Sequence, residues 1–506
     1  MSEAAWRDFG VSYPDTCLDR LVAGHARQKP DAPAVAALEG TMSWARLDDL
    51  ASRLAAALRD RGLRVGDRLA WLGRNGLYFP AVLLAARRAG LILVGLNWRL
   101  SSEELTEICA MARPRLILGD TEFINLIPEH LEGMAVGSAF EAWAITFDPL
   151  RGEDMRPDAP TTLFFTSGTT GKPKGIVFSS EATERTVFAP TTLEFEPDSR
   201  LLIIAPVFHT AGWVWTQYAL AGGMLQVQMP QATPALVLDM VGRWGVTHAQ
   251  WVPTMMNDLL AEVRRNPADL SSLRMIAYGS APIAERVLAD CIEAFGCRFT
   301  QCYGMTESVG PITHLPPEAH EDRQRRSQAT GIANPGLELR IADAKGRTLP
   351  PGESGEVWAR FPFPIGAHLR ADGDCRPVTD AEGWLHTGDI GHLDAEQYLH
   401  VTDRKKDVII TGGENVFPVE VEKVLTGMEG VFEAAVFPLP DERWGEKVAA
   451  ALVPKEGAKI DADRIIAECR NKLAHYKCPK IVVEVACLPR NASGKLVRAD
   501  LPGLFR

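Results

Sequence analysis

Between residues 200 and 295 the sequence changes hydrophobic period repeatedly, and this constrains the fold more than any other feature. Apolar runs over 201–207, 225–228, 247–252 and 275–279 read as strands. Between them, apolar spacings of three and four predict helices from about Trp213 and over 234–244, 254–265 and 283–295. Short strands separated by helices pair in parallel, because each helical crossover carries the chain back to the end where the previous strand began. Both faces of such a sheet are then covered by helices. The pattern is already present upstream, where Ser43 precedes Leu47, Leu50, Leu54 and Leu58 and the run 68–72 reads as a strand. An α/β fold with helix-covered sheets follows.

After Gly336 the texture changes to short strand-like runs broken by turn residues, as in GLELRIADAKGRTLPPGESGEVWARF. This predicts a smaller β-rich subdomain ending near Val401. From Asp403 the sequence DRKKD concentrates charge, and strands at 408–410, 431–437, 448–453 and 481–485 then mix with helices at 418–425 and 461–475. That is a separate α+β domain of about 100 residues. The expected division is an N-terminal domain over 1–403 and a C-terminal domain over 404–506. With 506 residues, 46% of them hydrophobic, the chain has apolar material for more than one core.

Acidic residues outnumber basic ones, 65 to 54. This argues against a broad basic face for nucleic acid or an anionic membrane, so an anionic ligand must be held by a local site. The nine cysteines are odd in number and contain no CxxC pair, which indicates neither a disulfide framework nor a zinc ribbon and points to a reducing, cytoplasmic compartment. The N-terminus lacks a basic start followed by an apolar stretch, and the best apolar stretch near it, 82–96, is interrupted by Arg87 and Arg88. No secretion signal and no membrane span is expected.

The strongest local signal is TTLFFTSGTTGKPKGIVFSS (161–180), two strand-like runs flanking a Gly/Thr/Ser loop with Lys172 and Lys174. Glycines let backbone N–H groups converge on an anion, hydroxyls add donors and lysines supply charge, so the loop reads as a phosphate clamp. It is not a Walker A loop, because only Thr169 and Thr170 separate Gly168 from Gly171-Lys172, and Pro173 follows.

Six further segments accompany it in order: PVFHTAGW (206–213), YGSAP (278–282), QCYGMTE (301–307), WLHTGD (384–389), DRKKDVIITGGENVFPVEVE (403–422) and NASGKLVR (491–498). In wording, order and spacing the set resembles the acyl-CoA synthetases of the adenylate-forming superfamily over nearly the whole chain. The resemblance implies a large N-terminal domain holding the acyl and ATP sites, a small mobile C-terminal lid, and an AMP-forming acid–thiol ligase using ATP, Mg²⁺ and coenzyme A on a small carboxylic acid. A homodimer is compatible with it.

The residue chemistry agrees with what the resemblance implies. Making an acyl-AMP from a carboxylate requires charge neutralisation on ATP and in-line geometry. Thr166, Ser167, Gly168, Thr169, Thr170, Gly171 and Lys174 would hold the phosphates, and Ser280, Ala281, Pro282, Gln301 and Gly304 would surround the nucleotide. Tyr303 offers a flat face to adenine, Thr306 a hydroxyl to the α-phosphate, Glu307 a hard oxygen ligand to Mg²⁺, and Asp389 an acceptor for two ribose hydroxyls, with Arg404 beside the ribose. Lys495 in Ser493-Gly494-Lys495 is the implied catalytic lysine, a point charge that reaches both the carboxylate and the α-phosphate. Lys406 stands at the implied hinge, while Gly412 and Gly413 would admit pantetheine and Trp444 would meet coenzyme A.

His209 resembles a gating residue between the acyl pocket and ATP. No aspartate lies between Pro206 and Trp215, which disfavours an amino-acid substrate. Trp213, Trp215 and Trp251, with Gly279, would line or back the pocket, and bulky indoles favour an aryl or short-to-medium aliphatic acid over a long chain. Two features depart from the pattern. PIGAH (364–368) replaces a Gly-Tyr pair common among relatives, and Arg323, Arg325 and Arg326 have no motif behind them and read as a solvated loop. The rival readings are an acyl-adenylating enzyme that loads a carrier protein and a catalytically silent nucleotide or acyl-CoA binding protein. Retention of Lys495, Glu307 and the 166–175 loop argues against the silent one.

Overall fold

The structure, a computed structural model, describes residues 17–150, 156–167, 173–188, 192–230, 233–281, 283–322, 329–370, 373–411, 414–441, 443–490 and 496–505. The chain forms two compact units, one built on Met1–Glu338 and Arg360–Leu385, the other on Leu339–Ala359 and His386–Arg506.

Among the described residues the first unit holds two large sheets. In one, Pro33–Ala37, Leu225–Gln228, Arg200–Ile203, His248–Trp251, Met275–Gly279 and Arg298–Gly304 lie side by side and all parallel, as the alternation predicts. Antiparallel strands Gly40–Ser43 on one side and Pro311–Leu315 with Ile332–Ala333 on the other complete it. The second sheet has a parallel run, Gly133–Ala135, Leu116–Gly119, Arg68–Leu72, Ile92–Gly95 and Pro160–Ser167. A hairpin then returns along Pro173–Ser179, followed by Ala367–Leu369 and Cys375–Pro377.

Local signals set the helices. Ser43 caps helix Trp44–Asp60 by accepting from the Arg46 N–H at 3.3 Å. That helix buries Leu47, Leu50, Leu54 and Leu58 to 1% exposure or less, each worth about 1.5–3 kcal/mol of transfer from water. They join Trp71, Phe79, Phe164 and Trp213 in one apolar cluster. The apolar stretch 82–96 divides into helix Phe79–Arg88 and strand Ile92–Gly95, and no helix among the described residues is long and apolar enough to cross a membrane. The interrupting arginines are buried and paired: Arg87 with Asp19 and Glu184, Arg88 with Asp48 at 2.6 Å and the Ser52 hydroxyl at 2.7 Å. Removing one partner from such a network costs about 3–5 kcal/mol, because it strands a buried charge.

The second unit contains the β-rich strands Glu338–Ala342, Gly355–Arg360, Trp384–Leu393 and Leu399–Arg404 as a four-stranded sheet. Its C-terminal α+β part is a hairpin, Val431–Asp441 with Gly445–Pro454, extended by Ile481–Glu484 and Ile409–Thr411. Helices Pro418–Thr426 and Ala462–Lys472 accompany it, the latter capped by Asp461. This is the α/β class expected. One expected element differs: the strand predicted over 201–207 ends at Ile203, and residues 204–209 form a turn.

Candidate active site

Because the central strands of the nine-stranded sheet run parallel, their carboxyl ends share one edge, where open α/β sheets place their ligands. His209 follows Arg200–Ile203 there, at the N-cap of helix Thr210–Gly222. Gly279 ends its strand, and Ser280 and Ala281 follow it exposed, Ser280 with φ +68°. Gln301 pairs in register with Tyr278, whose hydroxyl donates to the Gln301 Oε1 at 3.3 Å. Tyr303 and Gly304 end strand Arg298–Gly304, and the turn Thr306–Ser308 carries Thr306 and Glu307, both half-buried. These predicted residues are therefore brought together.

The phosphate-loop hairpin is tied to the same region. Thr166 stands opposite Lys174 and Ser167 opposite Pro173, with Lys174 exposed. Gly168, Thr169, Thr170, Gly171 and Lys172 lie outside the described residues, as do Pro282, Arg323, Arg325 and Arg326. The PIGAH segment makes the connection. Ala367–Leu369 pairs with the returning hairpin strand, and the Gly366 N–H donates to the Glu307 carbonyl at 3.3 Å. The hairpin is thereby linked to the Thr306–Glu307 turn.

The tryptophans divide. Two helical positions are about 200° apart around the axis. Trp213 accordingly meets Phe164 edge-on at 5.8 Å, while Trp215 meets Phe195 at 6.1 Å. Trp251 alternates to the opposite sheet face from His248 and Gln250 and packs on Phe295 at 5.2 Å, so it backs the sheet. The sequence reading missed a buried polar row. Gln226 and Gln228 are fully buried, and Gln228 donates to Thr216 at 3.1 Å and to Gln226 at 2.8 Å. Neither amide atom of buried Gln217 has a partner. The alternation in LQVQ was the available signal.

In the second unit Asp389 and Arg404 face each other in register, with Nε 3.4 Å from the carboxylate; Asp389 is buried and Arg404 largely exposed. Lys406 is exposed in the turn after Leu399–Arg404. Just before it, burial pushes the Asp403 carboxyl up to about 6, opposed by N–H groups of Val419 at 2.9 Å and Arg404 at 2.8 Å. Trp444 is 47% exposed with Arg443 over its ring at 4.7 Å. Gly412, Gly413 and Lys495 lie outside the described residues. Around Lys495, Arg490 bridges to Leu496, and Arg498 reaches Glu422, Asp407 at 3.7 Å and the Val436 carbonyl at 2.6 Å. Arg498 was not singled out by the sequence, although it stands three places after the lysine in the same motif.

The family model described as AMP-binding enzyme matches residues 22–364, and that of the AMP-binding enzyme C-terminal domain matches 420–495. The chain belongs to the AMP-binding enzyme family. It is 35% identical to the fatty acid–[acyl-carrier-protein] ligase ScoC of Streptomyces coeruleorubidus over 95% of either chain. It is 34% identical to the indoleacetate–CoA ligase of Aromatoleum aromaticum over 96% of this chain and 97% of the relative. It also resembles the o-succinylbenzoate CoA synthetase of Bacillus subtilis, solved with its acyl-adenylate intermediate, at 30% identity and a TM-score of 0.85, covering 95% of this chain and 97% of the other. A second structure of that synthetase holds ATP and a magnesium ion, with a TM-score of 0.83 at 30% identity and coverage of 95% and 99%.

Proposed function

We propose that the chain is an ATP-dependent carboxylate:CoA ligase. In the first half-reaction an oxygen of the acid attacks the α-phosphorus of ATP, forming acyl-AMP as the bond to pyrophosphate breaks. In the second, the thiol sulfur of coenzyme A attacks the acyl carbon, and AMP leaves. The observation that carries the reading is that His209, Tyr303, Thr306 and Glu307 lie at or beyond the carboxyl ends of the parallel strands, with the Thr166–Lys174 hairpin joined through Gly366 to the Glu307 turn, in a member of the AMP-binding enzymes.

The residue roles are part of the proposal. The 166–174 loop holds phosphates, Tyr303 faces adenine, Asp389 and Arg404 take the ribose, and Lys495 neutralises charge between acid and α-phosphate. Glu307 suits Mg²⁺: no cluster of three or more His, Cys, Asp or Glu side chains that could cage a metal occurs among the described residues, and Mg²⁺ at a nucleotide is usually held by one or two carboxylates together with phosphate oxygens and water. All nine cysteines are free, which supports a reducing, cytoplasmic setting.

The similarity to ScoC favours one second reading, transfer of the acyl group to a carrier protein instead of free coenzyme A. Pyrophosphate release over a panel of aryl and straight-chain acids, followed by thioester analysis with coenzyme A or a phosphopantetheinylated carrier, tests both. We expect release that needs acid and Mg-ATP, and a thioester with coenzyme A. Thioester on the carrier alone moves the acceptor to the second reading, and no release with any acid sinks the ligase.

A compact acyl site bounded by the indoles of Trp213 and Trp215, both in the main apolar cluster, is part of the proposal. Trp213→Ala or Trp215→Ala should move the kcat/KM ranking towards longer or bulkier acids, since a methylene in an apolar pocket is worth about 1–3 kcal/mol. The two face different neighbours, so one is expected to dominate. An unchanged ranking in both folded variants would assign the indoles to the core and remove the compact-pocket argument.

A further inference from the structure

The segment that follows the Arg200–Ile203 strand is bonded by one side chain from the opposite sheet. Asn75, 4% exposed, stands in the turn after Arg68–Leu72. Its Nδ2 donates to the carbonyls of Ile203 at 3.0 Å and Ala205 at 2.9 Å, and its Oδ1 accepts the Val207 N–H at 3.0 Å. Both amide protons and the carbonyl are used, and two carbonyls on one side with an N–H on the other settle which amide atom is which.

Two glycines let the backbone approach. A Cβ at Gly95 would lie 2.9 Å from the Phe208 Cα, and one at Gly212 would lie 2.1 Å from the Ala205 carbonyl oxygen. The Phe208 ring is met edge-on by Trp98 at 6.4 Å, with the Arg99 guanidinium 6.0 Å from its centroid. The His209 N–H donates to the Pro206 carbonyl at 2.9 Å. Segment 203–209 is thus held by the second sheet, by its neighbouring strand and by the helix that follows it.

We propose that Asn75 is a positioning residue for adenylation. It sets the backbone from which His209 projects, so the histidine admits or blocks the acid by turning its side chain on a fixed main chain. The inference rests on the gating reading of His209. Asn75 acts through residues 203–209 and touches no reacting atom.

The test compares Asn75→Ala, Asn75→Asp, His209→Ala and the Asn75→Ala/His209→Ala double variant in acid-dependent pyrophosphate exchange, with melting temperatures measured alongside. Misplacement by about 1 Å can cost about 10²-fold, so Asn75→Ala should lower kcat/KM for the acid by about that factor. KM for ATP should stay nearly constant. Asn75→Asp keeps the volume and the Val207 acceptor but sets a charged oxygen against two carbonyls, and should fall at least as far; it carries the test if the alanine variant does not fold. Adding Asn75→Ala to His209→Ala should cost little more than His209→Ala alone, as for residues that act as a unit. Multiplying losses, or a KM for ATP that rises in step with that for the acid, would overturn the positioning role. A His209→Ala variant with unchanged acid kinetics would instead overturn the gating reading beneath it.

Discussion

Lys495→Ala is expected to cut acyl-AMP formation by about 10²–10³-fold or more, the range for removing one preorganised group from a developing charge, while supplied acyl-AMP still reacts with coenzyme A at nearly the unaltered rate. The asymmetry arises because an ammonium that neutralises charge between carboxylate and α-phosphate has no task once pyrophosphate has left. Residues 496–498 after the lysine are well anchored. Leu496 is bridged to Arg490, the Val497 N–H donates to the Pro489 carbonyl at 2.9 Å, and Arg498 is anchored on Glu422 and the Val436 carbonyl. Single-turnover pyrophosphate release and thioester formation from supplied acyl-AMP measure the halves separately. Equal loss of both would remove Lys495 from its role.

Lys406→Pro is expected to do the reverse, sparing adenylation and lowering thioester formation by at least about tenfold. Proline fixes φ near −65° and removes the backbone N–H, so the hinge proposed at Lys406 would be locked in one arrangement. The neighbourhood suits a hinge. Asp403 is buried and bonded to the Val419 N–H, and the Lys405 ammonium meets Glu356 at 3.0 Å, whereas the Lys406 side chain is exposed in a turn. The same two single-turnover measurements decide it, and a variant with normal overall turnover would place the hinge elsewhere.

Much of the candidate site was legible because its signals are local. A Gly/Thr/Ser loop with two lysines between apolar strands, or Tyr-Gly-Met-Thr-Glu at a strand end, states its chemistry within a few residues. The same holds for Ser43 as a helix cap and for the helix and strand periods, and the structure has the parallel sheets those periods imply. Alternation alone, however, extended the strand at 201 to residue 207, since Ala205–Val207 continues the apolar run.

What the sequence by itself determined, then, is what neighbouring residues decide together: element type, order, parallel pairing and a loop suited to phosphate, while the nucleotide and the acid came from the resemblance. Only the tertiary structure decided the rest. It bonded the segment at the end of that strand to Asn75, 128 and 130 places away. It set Trp213 against Phe164, Trp215 against Phe195 and Trp251 against Phe295, and it made Arg87 and Arg88, which interrupt an apolar stretch, a buried paired network. For Asn75 and the arginines the physical reason is shared: a buried polar group must find its partner wherever the fold brings one, and that partner is fixed by how two sheets and their helices meet.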